Sequence, residues 1–198
     1  MPHPNTQRLI DEWRRQKSGE SPPPRTSISP VAFGPLLPQL FLLGTERVGL
    51  EEVRLAGGLI ADLHGRDLRG ADFFELWSRQ DRPRVRMAFA MARSNAMPVL
   101  LNATATSVNG VDVALEISLA PLIGASGLAD RTIGLYQPLT PVSALMGRPV
   151  SQMHLSSVEV TGAADVSVAK PTRGHLRLVV DNSRSFAVDA RRSGGGAG

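Results

Sequence analysis

Asp112 and Glu116, four residues apart, are the nearest thing in this 198-residue chain to a pair of carboxylates poised for proton transfer. Such chemistry needs one group held as an acid and another as a base. Their setting argues against it. Val113, Leu115, Ile117 and Leu119 alternate with Asp112, Ala114, Glu116 and Ser118. A period of two places the apolar set on one face of a sheet and the carboxylates on the outer face. His64 could be an axial haem ligand, yet it directly precedes Gly65, where histidine is a common helix terminator. His3, His154 and His175 lack metal-ligand spacing. Arg66 and Arg69 flank Asp67 and could grip a carboxylate or phosphate, but read more simply as a solvated loop with local ion pairs. Asp81 suits a helix cap better than an acid catalyst. Gly57-Gly58 has no P-loop lysine after it and reads as turn chemistry. The chain has no cysteine, which excludes disulfides, thiolate metal sites, thiol nucleophiles and photochemistry that traps a chromophore on sulfur. The residues therefore name no catalytic group, no metal and no required cofactor.

The elements around these residues follow from periodicity. Residues 5–17 read as an amphipathic helix with Asn5 as cap, Leu9, Ile10 and Trp13 on one face, and Asp11 and Arg15 paired on the wet side. Pro22-Pro23-Pro24 makes an extended linker. Ser29-Pro30 starts a short helix. Strands are expected over 40–45 and 52–56, short helical turns over 59–64 and around Phe73-Phe74, and a longer helix after Asp81 with Val85, Ala88, Phe89 and Ala92 on one face. Arg82, Arg86 and Arg93 fall largely away from that face. Strands over 99–108 and 111–119 flank Asn109-Gly110, a type I′ hairpin signal, and a further strand covers 133–139. Strands at both ends of a helical block imply an α+β domain, with an antiparallel sheet covered by helices on one face. Beyond residue 143 the pattern weakens, with short strands suggested over 153–160 and 175–180 and a glycine-rich end.

Composition narrows the function. At 42% hydrophobic the chain can bury a core, which must be mainly aliphatic because aromatics are only 5%. The net charge is +4, and the 22 basic residues include just two lysines, Lys17 and Lys170. Acids interleave with the arginines, whereas a phosphate-binding surface needs a concentrated patch, so nucleic acid is disfavoured. Arg184, Arg191 and Arg192 are the best candidates for such a surface. The longest apolar-looking run, residues 36–43, is interrupted and too short to span a bilayer. No secretory h-region opens the chain, and a cytoplasmic protein is expected.

Gly65, Leu68 and Gly70, followed by Phe73-Phe74-Glu75-Leu76 and Asp81-Arg82, resemble the signature of PAS domains. With His3-Pro4-Asn5, Ile10-Asp11-Glu12-Trp13, Gly34-Pro35-Leu36-Leu37-Pro38 and Arg54-Leu55-Ala56-Gly57, the chain is similar over residues 3–142 to the short, stand-alone PAS-fold proteins of alphaproteobacteria. The resemblance implies a PAS fold with a five-stranded antiparallel sheet, an N-terminal amphipathic helix and a C-terminal extension. The division expected is 1–24 for the helix and proline-rich linker, 25–142 for the PAS domain, and 143–198 for a partly flexible extension.

A pocket in this fold would lie between the inward strand face and the short helices. Its candidate walls are Leu55, Leu63, Phe74, Trp77, Val113, Leu115, Ile117 and Leu135, residues that fill a ligand-free core equally well. Leu9, Ile10 and Trp13 form an interaction helix that either docks on the sheet or pairs with a second copy. The function expected is a non-catalytic sensory or regulatory protein of bacterial signalling. It would bind a small ligand or a protein partner, as a homodimer, away from membranes. The rivals are an enzyme of the same cone-like fold, for which Tyr136 beside a carboxylate in a wet cavity would be the sign, and an arginine-mediated binder of nucleic acid or an acidic partner.

Overall fold

Pro4 occupies the first turn of the N-terminal helix, where a missing N–H costs nothing, and the helix α1 runs Pro4–Gln16. The computed structural model describes residues 1–47 and 49–161. The strand suggested over 175–180, His175, and Arg184, Arg191 and Arg192 lie outside the described residues. His3, not Asn5, caps α1: its Nδ1 accepts from Asn5 N at 3.2 Å. The Asn5 side chain instead donates to Gln137 Oε1 at 2.9 Å. Arg15 pairs with Glu12 at 2.6 Å rather than with Asp11.

After a proline-rich crossing, 3-10 turns at Arg25–Ser27 and Pro30–Gln39 lead into β1 (Leu40–Arg47). The second of these kinks at Gly34, whose φ of 45° and ψ of −110° suit glycine. Then follow β2 (Leu50–Ala56), α2 (Gly58–His64), a 3-10 turn at Phe73–Leu76, α3 (Arg82–Ser94), β3 (Val99–Ser107), β4 (Asp112–Leu122), β5 (Arg131–Pro138) and β6 (Val150–Val160). All neighbouring strands run antiparallel in the order β2-β1-β5-β4-β3-β6.

The sheet therefore has six strands where five were expected. β6 lies within the extension and pairs with β3 from Val99↔Val160 to Ser107↔Val150. It contains the strand suggested over 153–160, and two register shifts interrupt its pairing, which blurs the period-two pattern that would have placed it in the main sheet. Its outer edge is not bare: Ser78 N donates to Met153 O at 2.8 Å. The opposite edge, β2, is covered by residues 70–72, with Gly70 N donating to Val53 O and Val53 N to Ala71 O, each at 2.9 Å. Covered edges remove a template for unwanted pairing.

The hairpin at Asn109-Gly110 forms, but not as a type I′ turn. Gly110 N donates to Ser107 O at 2.9 Å, and Gly110 alone in the turn has positive φ, 77°. That is a type I turn followed by a left-handed glycine.

Two layers cover the sheet. α2, the Phe73–Leu76 turn and α3 pack on the inner face, where Val85, Ala88, Phe89 and Ala92 join the main core. α1 and the Pro30–Gln39 segment pack on the outer face, where Leu9, Trp13, Phe33, Leu36, Leu40 and Leu135 form a second core. Burial of Leu9, Ile10 and Trp13 at 0–2% exposure contributes about 1.5–3 kcal/mol per side chain before ordering costs. A 13-residue helix is marginal alone, so this docking is what holds α1. Two glycines permit the close approach of layers. A Cβ on Gly57 would stand 2.3 Å from Pro38 O, and one on Gly134 would meet Phe41 and Ser118 O at 2.1 and 2.3 Å.

Candidate functional site

The inner face brings together six of the eight candidate pocket residues. Leu63, Phe74, Trp77, Val113, Leu115 and Ile117 all lie in the main core at 0–5% exposure. They are buried among aromatic rings. Phe73 stacks on Phe41 at 5.4 Å and meets Phe89 at 5.7 Å, and Phe74 meets Phe89 at 5.3 Å, edge to face. Such offset and edge-on contacts are the favourable ring geometries, and here they join β1, the Phe73–Leu76 turn and α3. The other two candidates are elsewhere. Leu135 belongs to the second core, under α1. Leu55 is 50% exposed and pairs with Leu42 on the outer face.

Tyr136 is fully buried in that inner core. Its ring meets Phe41 edge-on at 5.5 Å and His64 at 6.1 Å, and its hydroxyl donates to Met153 Sδ at 3.5 Å. Burial raises its pKa far above the ordinary phenol value. Among the described residues no carboxylate is hydrogen-bonded to its hydroxyl. His64 closes α2, as its place before Gly65 suggested, and is likewise buried. Desolvation, helped by Arg66, lowers its pKa from 6.5 to about 4, so the imidazole is neutral near pH 7.

The remaining charged candidates are structural. Asp112 accepts from Thr106 Oγ1 at 2.7 Å. Glu116 is not solvated as expected, because α1 covers it: it is buried and accepts from His3 N at 2.9 Å. Asp67 accepts from the Arg69 backbone N at 2.9 Å and from its guanidinium, and these bonds, the backbone one first, hold its carboxyl below the usual range. Asp81 sits at the N-cap of α3 without capping it. Its carboxylate accepts from Ser78 Oγ at 2.7 Å and Leu155 N at 3.1 Å, pinning β6 to the start of α3. No group of three His, Asp or Glu suited to a metal occurs among the described residues.

One strong pair escaped the sequence reading. Arg93 reaches Glu51 through two parallel bonds of 2.7 and 2.8 Å, and Thr45 Oγ1 donates to the same carboxylate at 2.8 Å. Glu51 is buried. Its sequence signal was an acid alternating with Val53 on an inward strand face, where a charge needs a partner.

An apolar pocket lies on the outer face. Leu40, Leu42, Leu122 and Ile133 from the strands face Ile28 and Leu37 from the N-terminal segment across a pocket of about 100 Å³. Leu55 and Phe41 also border it, and Arg25 stands at its edge. Arg8 Nη2 donates to Ala32 O at 2.7 Å, so the segment that walls the pocket is tied to α1. Trp13 Nε1 donates to Pro121 O at 2.7 Å, fixing α1 to β4 beside Leu122. Leu9, Ile10 and Trp13 are thus used within the chain and present no apolar stripe to a second copy.

A family model described as PAS domain matches residues 1–137. Among solved structures, the chain is similar to a light-oxygen-voltage domain studied with a flavin analogue, at 11% identity and TM-score 0.45, over 59% of this chain and 87% of that one. It is similar to the Rhodobacter sphaeroides LOV protein at 14% identity and TM-score 0.43, over 73% of this chain and 72% of that one. Similarity to the blue-light activated histidine kinase EL346 of Erythrobacter litoralis stands at 15% identity and TM-score 0.43, over 57% of this chain and 36% of the kinase. No curated protein matches the chain.

Proposed function

The chain belongs to the PAS domain family, and from that premise we propose that it is a non-catalytic sensory module which binds a small ligand or protein partner on the outer face of its sheet. The observation that carries this is the apolar pocket closed by residues 25–39, segments bonded in turn to α1. The inner-face candidates, buried among interlocking rings, are less accessible than this outer pocket. A ligand acts on such a module only through different affinities for two conformations. Undocking α1 would expose Leu9, Ile10 and Trp13 and is costly. The kinked Pro30–Gln39 segment, which places only Phe33 and Leu36 among its buried residues, is the more yielding part. Output passes through a partner protein that reads the pose of this segment.

Hydrogen exchange of the full purified chain, paired with native mass spectrometry, tests this. Occupancy by a small molecule or partner protects residues 25–39 and alters exchange in α1, while β3 and β4 stay unchanged. Uniform exchange across these regions in bound and stripped protein refutes the reading.

A further inference from the structure

Ten residues line the outer pocket; nine are apolar and one, Arg25, is charged. Arg25 is exposed, and its guanidinium has no hydrogen-bond or ion-pair partner among the described residues. Its backbone is held in place, with Arg25 N donating to Ile123 O at 2.8 Å. The neighbouring arginines of this face differ, since Arg54 pairs with Glu52 at 3.1 Å and Arg131 with Asp130 at 3.4 Å. At the mouth, Leu37 and Leu55 are 43% and 50% exposed. Large apolar side chains clustered around an apolar concavity mark a binding surface.

We propose that this pocket binds a free aliphatic carboxylate, with its chain against Leu40, Leu42 and Ile133 and its head on Arg25. The inference rests on the outer face being the sensory surface and adds the chemical class of its ligand. The head follows from the donors. A single guanidinium matches a planar carboxylate with two parallel hydrogen bonds. A phosphate dianion would call on further donors, and an apolar lining supplies none. The chain length follows from the volume. A cavity of about 150 Å³ holds one benzene, so about 100 Å³ takes a few methylenes, and the rest of a medium-length chain lies across Leu55. Bound in this way, the ligand touches the N-terminal segment through Ile28 and Leu37 and the sheet through Leu42 and Ile133. It therefore favours the docked pose of residues 25–39.

The test is isothermal titration of the full chain with octanoate, octanol and acetate. Octanoate saturates the protein, acetate does not, and octanol binds more weakly than octanoate. Arg25→Gln weakens octanoate about tenfold or more, the range of a charge-assisted bond, and leaves octanol within about twofold. Leu55→Trp, a change at a half-exposed position, obstructs the mouth and lowers affinity for both chains. Circular dichroism confirms that each variant is folded. Equal binding of octanoate by the parent and Arg25→Gln overturns the assignment, as does unchanged affinity in Leu55→Trp or no saturation by about 5 mM. If octanoate fails while another bound species still protects residues 25–39 from exchange, the carboxylate assignment falls and the sensory reading stands. If no species protects them, both fall.

Discussion

Arg93→Met leaves Glu51 buried with a single hydroxyl donor in place of three hydrogen bonds. The side chain of Glu51 is 4% exposed and that of Arg93 22%, so water reaches the vacated guanidinium position more easily than the carboxylate. Removing one partner of a buried pair costs about 3–5 kcal/mol. Thr45 still serves one oxygen of Glu51, which places the expected loss near the lower end, about 3 kcal/mol. For a chain of this size that lowers Tm by about 6–12 °C. Urea unfolding at pH 7 of the parent, Arg93→Met, Glu51→Leu and the double variant gives the pair's own contribution. The double variant, with no stranded charge, is no less stable than the worse single, and the coupling energy is at least about 2 kcal/mol. Arg93→Lys, which keeps charge but loses the two-pronged contact, falls between parent and methionine variant. A loss under about 1 kcal/mol in Arg93→Met, or additive singles, would refute the argument that this pair ties α3 to β1 and β2.

Three further perturbations follow from the geometry. The pKa of folded His64 is lowered from 6.5 to about 4, so between those values the unfolded chain binds the proton more tightly. The His64 contribution is therefore at its full value above about pH 6.5 and falls as pH drops toward 4, by up to about 3 kcal/mol; chemical unfolding across this window in parent and His64→Gln should show the steeper slope in the parent. Gly57→Ala, whose Cβ would meet the Pro38 carbonyl, should lose at least about 3 kcal/mol, whereas Gly58→Ala, with open space around it at the start of α2, should be neutral or stabilising by up to about 1 kcal/mol; equal thermal stability of the two variants contradicts the packing account. Trp13→Phe keeps a six-membered aromatic ring but loses the pyrrole portion and its bond to Pro121 O; at this buried site the urea midpoint should report a loss of at least about 1–2 kcal/mol from the bond plus a cavity term, and an unchanged midpoint denies that this contact anchors α1.

Sequence reading succeeded where one face of an element is buried and the other wet. α3 meets that condition, and the face read from Val85, Ala88, Phe89 and Ala92 is the face that packs. The same rule missed Arg93, because a long side chain leaving the flank of a helix can reach a carboxylate on a neighbouring strand. Periodicity reports where a Cβ points and not where a guanidinium ends. The strand suggested over 153–160 is present as β6, but its length and its place as a sixth strand beside β3 were obscured for a different reason. Ser151 and Gln152 of β6 are exposed and its pairing shifts register twice, so its pattern has neither sustained alternation nor an apolar run.

The misplacement of Leu135 shows why the pocket itself was illegible. In β5 the apolar signal comes from Ile133 and Leu135, and the position between them is Gly134. Read alone, that alternation directs the leucine inward. In the fold, Gly134 and Tyr136 face the inner rings, with Gly134 giving room to Phe41, while Leu135 joins the outer core and Ile133 packs against it. A strand apolar on both faces does not disclose which face meets which layer. That assignment is made by α1 and residues 25–39, which arrive from the beginning of the chain. The outer pocket needs both groups at once: Ile28 and Leu37 from that segment, and Leu40, Leu122 and Ile133 from strands that the sheet order places side by side. Its position therefore follows from non-local pairing, and Arg25 acquires a functional reading only when the apolar surface beside it is assembled.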